Sequence, residues 1–176
     1  MKYSDIRDSI RTGDVIGVEG ISFGASITRA VQKLGRQGDA SNITHIAIAY
    51  WIGERLFVME MDGKYNVLRP LSQHAQECRL YIYNCPSDSD LVSGLFDKYM
   101  SATIHYSQPD NIKTGLRLMF NIKQKDTDSS TNCSIFGYDL LVDAGWDVNL
   151  IKPSPSEVCN ALGVPKFITT PEENVK

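Results

Sequence analysis

The sequence predicts one domain of mixed class, spanning residues 1–176, in which helices and antiparallel strands share a core. Three observations predict it. A chain of 176 residues suits one domain and buries roughly two-thirds of the surface its unfolded form exposes. Apolar, β-rich runs recur on either side of glycine turns at Gly53 and Gly63, the pattern of successive hairpins. Elsewhere apolar residues recur at helical spacing and stop at glycine.

Taken in order, residues 3–10 suit a short helix, and Arg11-Thr12-Gly13-Asp14 turns the chain into an apolar strand, Val15-Ile16-Gly17-Val18. Ile27, Ala30, Val31 and Leu34 fall at helical spacing over residues 25–34, with Gly35 in the capping place, and a polar loop over residues 36–42 follows. Residues 44–51 are β-rich, Gly53 turns the chain into residues 55–61, and Asp62-Gly63 turns it again into Tyr65-Asn66-Val67-Leu68, a strand ended by Pro70. The three strands form a meander. Leu80-Tyr81-Ile82-Tyr83 reads as a further strand, and Leu91, Leu95, Phe96 and Tyr99 mark a helix over residues 90–100. Residues 101–130 carry no regular pattern, and the polar stretch at 123–130 is expected to be mobile. Residues 133–144 form a helix ended by Gly145, with Cys133, Gly137, Leu140, Leu141 and Ala144 along one face and Asn132 or Thr131 as its N-cap. Ser154-Pro155-Ser156-Glu157 is a capping box with proline at the first helical position, opening a last helix that Gly163 ends.

Composition narrows the function classes. Hydrophobic residues make up 42% and charged residues 22%, values of a soluble globular chain. A net charge of -3 creates no positive field to gather nucleic acid or an anionic membrane. The longest apolar stretch, ITHIAIAYWI, falls short of a transmembrane segment, and the N-terminal residues lack the apolar core of a secretory signal, so a cytoplasmic location is expected. Cys78, Cys85, Cys133 and Cys159 form no CxxC pair, and neither they nor the three histidines show a recognised metal spacing; no metal and no cofactor is expected.

Three residues carry candidate chemistry. Cys133 opens a helix, where unpaired N–H groups and the helix dipole favour a thiolate and one N–H can serve an oxyanion. His45 opens an apolar, β-branched strand, and imidazole is the side chain suited to act as a thiol's base near neutrality. Glu60 ends the next strand, and the Gly53 hairpin brings it back beside His45, where a carboxylate would fix the imidazole tautomer. Each also has a structural reading: a small buried thiol, a core-edge histidine bonded to the backbone, and a solvent-facing glutamate beside a turn. His74 and His105 read as exposed surface residues.

The order of these parts resembles the permuted NlpC-type papain-like cysteine hydrolases of bacteria and their phages. The likeness rests on Gly13-Asp14-Val15-Ile16, on Thr44-His45-Ile46-Ala47-Ile48, on Val58-Met59-Glu60, on Val67 through Pro70-Leu71-Ser72, on Tyr106 in a loop, on Cys133-Ser134 through Ala144-Gly145, and on Ser154-Pro155. It covers nearly the whole chain. It implies an α+β, circularly permuted papain-like fold, with an antiparallel sheet packed against the helix that carries the cysteine and histidine preceding cysteine in the chain. It also implies Cys133, His45 and Glu60 as the catalytic residues. Members often carry an aromatic residue before the cysteine and Cys-Ser-Glu after it; here Asn132 precedes, and Ser134-Ile135 follow. Asn132, Cys133 and Phe136 match the related lecithin:retinol acyltransferase proteins, which share the permuted order.

The implied function is cysteine-dependent hydrolysis of an amide, with a cell-wall peptide as the first substrate considered, through a thioester on Cys133. Lipid acyl transfer or hydrolysis on the same fold is one alternative. A catalytically inactive binding or virion-associated module is another. The expected partner is a peptide or acyl-amide substrate.

Overall fold

The computed structural model describes residues 1–20, 29–30, 32–33, 38–62, 65–101 and 132–172. Helix α1, Tyr3–Ile6, runs into a 3-10 turn at Arg7–Ser9. Strand β1 is Val15–Glu19, and β2, His45–Ile52, is joined to β3, Arg55–Asp62, by a two-residue turn. Gly53 takes φ 55° there, a conformation that suits glycine in so short a loop. Strand β4 is Tyr65–Pro70, and helix α2, Leu71–Glu77, follows it directly. Next come β5, Arg79–Tyr83, and two short helices, α3, Ser89–Gly94, and α4, Phe96–Ser101. Helix α5 is Cys133–Asp143, α6 is Pro155–Leu162, and β6 is Phe167–Ile168.

The six strands form one antiparallel sheet in the order β4-β3-β2-β1-β5-β6. Alternate residues of its central strands serve opposite layers. Val15, Ile46, Ile48, Met59 and Met61 pack with Phe136, Leu140, Leu141 and Ala144 of the α5 segment and with Val158 and Cys159 of α6. Ile16, Val18, Ala47, Ala49 and Val58 pack on the other face with Tyr3 and Ile6 of α1 and Leu71 and Ala75 of α2. Burial on both faces explains why Ile46-Ala47-Ile48-Ala49 reads as an unbroken apolar run, where a sheet with one wet face would alternate. Each fully buried isoleucine in this run contributes about 1.5–3 kcal/mol relative to exposure.

Asp14 ties the entry of the sheet together. Its Oδ2 accepts from the Arg11 N–H at 2.6 Å and pairs with Lys166, and its Oδ1 accepts from the Cys85 N–H at 3.1 Å. Among the described residues no helix is long and apolar enough to cross a membrane.

The α+β class and the antiparallel sheet agree with expectation, and three local readings are corrected. The helix expected over residues 90–100 is two helices, because the Leu95 N–H turns back to the carbonyls of Leu91, Val92 and Ser93 and closes the first one at Gly94. The expected loop at 36–42 contains a 3-10 turn, Gly38–Asn42. Strand β6 has no counterpart in the sequence reading; two residues form it by pairing with Tyr81 and Ile82 at the sheet edge. Most of the helix expected over 25–34 lies outside the described residues, although Arg29, Ala30, Gln32 and Lys33 are helical. The Gly63 end of the second turn, His105, Tyr106, Thr131 and the polar stretch 123–130 also lie outside them.

Candidate active site

The site forms where β2 and β3 part. Their ladder ends at Ile48↔Met59, one pair short of setting Ala47 opposite Glu60. His45 and Glu60 therefore stand as diagonal neighbours on one face, the face of Ala47 and Val58, within reach of long side chains. His45 Nε2 lies 2.5 Å from Glu60 Oε2. Glu60 is fully buried, so the reading of it as a solvent-facing residue does not hold.

Helix α5 brings the thiol. Asn132 is its N-cap: the buried side-chain Oδ1 accepts from the Ser134 N–H at 3.1 Å and the Ile135 N–H at 3.0 Å, and its carbonyl accepts from the Phe136 N–H. The Ser134 hydroxyl donates to the Pro153 carbonyl at 2.6 Å, fixing the start of α5 to the segment that leads into α6. One turn along, Gly137 lies against β2, where an added Cβ would sit 2.9 Å from Ile46 Cγ2. Glycine lets the helix approach this closely, and Cys133, four residues earlier, shares the same side of α5. The half-buried Cys133 thiol comes within hydrogen-bonding reach of His45. It also accepts from the Ile46 N–H, which points to the β3 side beyond the last ladder pair. With Nε2 committed to Glu60, Nδ1 is the His45 nitrogen left for the sulfur.

The electrostatics follow from these contacts. Burial alone would lower the pKa of His45, but the charge and hydrogen bond of Cys133, then those of Glu60, outweigh it and push the imidazole up to about 10. Burial alone would raise Cys133; its pairing with His45 and the Ile46 N–H overcome that and hold the thiol below its ordinary value. Burial likewise opposes ionisation of Glu60, yet hydrogen bonds from His45 and His74 hold its carboxyl well below the usual carboxylate range. The combination favours transfer of the thiol proton to the imidazole.

His74 and Arg69 complete the surroundings of Glu60, a role the sequence reading assigns to neither. His74 lies in α2 and is not the exposed residue expected: its side chain is 13% exposed, with Nε2 2.9 Å from Glu60 Oε2. The signal was present, because Leu71, His74, Ala75 and Cys78 recur at the i, i+3, i+4, i+7 spacing of a buried helical stripe. Arg69, opposite Val58 in β4, places Nε 3.3 Å from Glu60 Oε1 and also pairs with Asp62. Two of the three histidines thus converge on one carboxylate, where the sequence suggested scattered ones.

His45, Glu60 and His74 present donor atoms within 4.8 Å of one another, the one group among the described residues that could take a metal ion. Donors bonded to zinc at 2.0–2.1 Å in a tetrahedron stand about 3.3 Å apart. Here Oε2 is already at 2.5 and 2.9 Å from the two nitrogens, and the Arg69 cation stands at the other oxygen. A cation would enter only by spreading the hydrogen-bonded array. Searches of protein-family models and of curated proteins match none to this chain.

Proposed function

We propose that the chain is a cysteine-dependent amide hydrolase of the permuted NlpC-type papain-like kind, with Cys133 as nucleophile, His45 as acid and base, and Glu60 as the carboxylate that holds His45. The observation that carries this reading is the unbroken line Cys133–His45–Glu60, which starts at a helix N-terminus and ends at a fully buried carboxylate.

The chemistry runs in two steps. Cys133 gives its proton to His45, and the thiolate attacks the amide carbonyl carbon. The Cys133 N–H, the first-turn donor nearest the sulfur, faces the oxyanion as it forms. Collapse of the adduct breaks the C–N bond as His45 protonates the leaving amine, which leaves a thioester. His45 then takes a proton from water, the hydroxide equivalent attacks the thioester, and the acid departs as Cys133 recovers its proton. Glu60 stays ionised throughout and stabilises the imidazolium.

Asn132, which the resemblance links to acyltransferase relatives, has a local reason to stand before Cys133, since its side chain caps α5. It therefore adds no weight to lipid acyl transfer. A cell-wall peptide is the first substrate class to try. The test is to incubate the parent and Cys133→Ala proteins with muropeptides and, separately, with acyl lipids, and to follow products and intact protein mass. Peptide cleavage by the parent alone, with a transient acyl adduct on Cys133, is expected; cleavage by Cys133→Ala at the parent rate would refute it.

A further inference from the structure

Glu60 Oε2 serves two imidazoles at once. His45 Nε2 stands 2.5 Å from it and His74 Nε2 2.9 Å, with the rings 5.9 Å apart and tilted by 40°. A carboxylate oxygen has two in-plane lone pairs, so two N–H donors saturate Oε2. The other oxygen faces the Arg69 Nε at 3.3 Å without an aligned hydrogen bond. Rotation of the carboxyl group would break both imidazole contacts together, whereas with His45 as the only imidazole it would break one. His74 itself is held independently of the thiol, because α2 is anchored through buried Leu71 and Ala75 in the core on the face away from α5.

We propose that His74 is a positioning residue: it locks the Glu60 carboxylate, so that Glu60 holds His45 with Nδ1 toward Cys133. The inference rests on reading Cys133, His45 and Glu60 as the reacting triad. Among the described residues, His74 meets Glu60 of β3, which His45 of β2 and Arg69 of β4 also approach; Asp62 of β3 pairs with Arg69, and Cys133 of α5 lies behind His45. His45 as imidazolium and Arg69 stand against Glu60, Asp62 and the thiolate, which leaves one negative charge. Glutamine is therefore the informative replacement, because it supplies the directed N–H to Oε2 without any charge.

The experiment follows alkylation of Cys133 by iodoacetamide, peptide by peptide, from about pH 5 to about pH 9 in the parent, His74→Gln, His74→Ala and His74→Asn proteins, with melting curves for each. Expected are a loss of about tenfold in neutral-pH rate for His74→Ala, the lower end of what an outer hydrogen-bonding partner commonly contributes, and a shift of the rate midpoint to higher pH. His74→Gln, whose amide nitrogen falls near the place of Nε2, should stay within about twofold of the parent. His74→Asn, too short to reach Oε2, should behave as His74→Ala and replaces it if that variant does not fold. Parent-like rates in His74→Asn and His74→Ala would overturn the proposal. So would a His74→Gln protein as slow as His74→Asn, which would mean that the imidazole itself is required. A parent slowed to the His74→Ala rate by EDTA would also overturn it, by making His74 a metal ligand. If Cys133 in the parent reacts no faster than Cys85, the triad reading itself fails.

Discussion

Substituting Gly137 by alanine separates the seating of the thiol from the stability of the fold. The added methyl would lie 2.9 Å from Ile46 Cγ2, 3.7 Å from Ile48 Cδ1 and 3.9 Å from Ile48 Cγ1. Carbon atoms pack best at about 3.5–4.0 Å, so α5 must withdraw by about 0.5–1 Å, because Ile46 is β-branched, fully buried and has no room to turn. Overpacking of this kind costs about 1–3 kcal/mol, and replacing a helical glycine by alanine returns about 1 kcal/mol. The net destabilisation is then only about 0–2 kcal/mol. The sulfur sits one turn away on the same side, and withdrawal stretches its contacts with His45 and the Ile46 N–H. Weakening of the thiolate by about one pKa unit, which is about 1.4 kcal/mol, would move the alkylation midpoint about one unit to higher pH and slow the reaction by up to about tenfold below that midpoint. Thermal melting and iodoacetamide labelling of the same samples check both halves. A Gly137→Ala protein that melts higher than the parent and alkylates at the parent rate would refute the view that this close approach seats the sulfur.

Four further outcomes are expected. Glu60→Gln removes the charge that steadies the imidazolium, and alkylation of Cys133 should slow by about ten- to a hundredfold, measured at neutral pH. Because the folded-state pKa of Glu60 lies below its unfolded value near 4.5, its contribution to stability is complete above that pH and is lost as pH falls beneath it; melting temperatures across the acid range should fall more steeply for the parent than for Glu60→Gln. Labelling should rank Cys133 first, then Cys85, raised by burial, then Cys159, pushed up to about 12 by burial despite a hydrogen bond with Tyr83; a pH profile for Cys133 displaced to lower pH than those of the others is the signature to look for. Asn132→Ala should cost about 1 kcal/mol through loss of the cap, lowering the melting temperature by about 2–4 °C, whereas Asn132→Asp should keep the cap but slow alkylation by placing a negative charge beside the thiolate.

The parts of the molecule that sequence makes visible are those fixed locally. The Gly53 turn sets the β2–β3 register, and with it the common face of His45 and Glu60, because a two-residue loop leaves the pairing no freedom. Asn132 and the Ser154 capping box announce their helices through side chains that bond their own first turns. The parts that stay hidden depend on distant packing. His74 reads as an exposed surface residue until α2 is laid against β3, and only then does a carboxylate sixty positions into the chain acquire a second imidazole. Arg69 just follows the strand expected over residues 65–68, and its approach to Glu60 is hidden for the same reason. Strand β6 is too short to carry a periodicity and exists because β5 offers an open edge. The Ile46 N–H has no side-chain identity at all, so no inspection of residue types could point to it.

That last contact bears on how such a site persists through mutation. A donor supplied by the main chain at position 46 belongs to every amino acid except proline, so drift from isoleucine to valine or leucine would leave the sulfur's partner untouched. One of the thiolate's supports is thereby insulated from the genetic code, and lineages of this fold can vary the residue after the histidine without forfeiting it. Among apolar variants at position 46, tolerance would be set by the room beside Gly137, while proline would remove the donor itself.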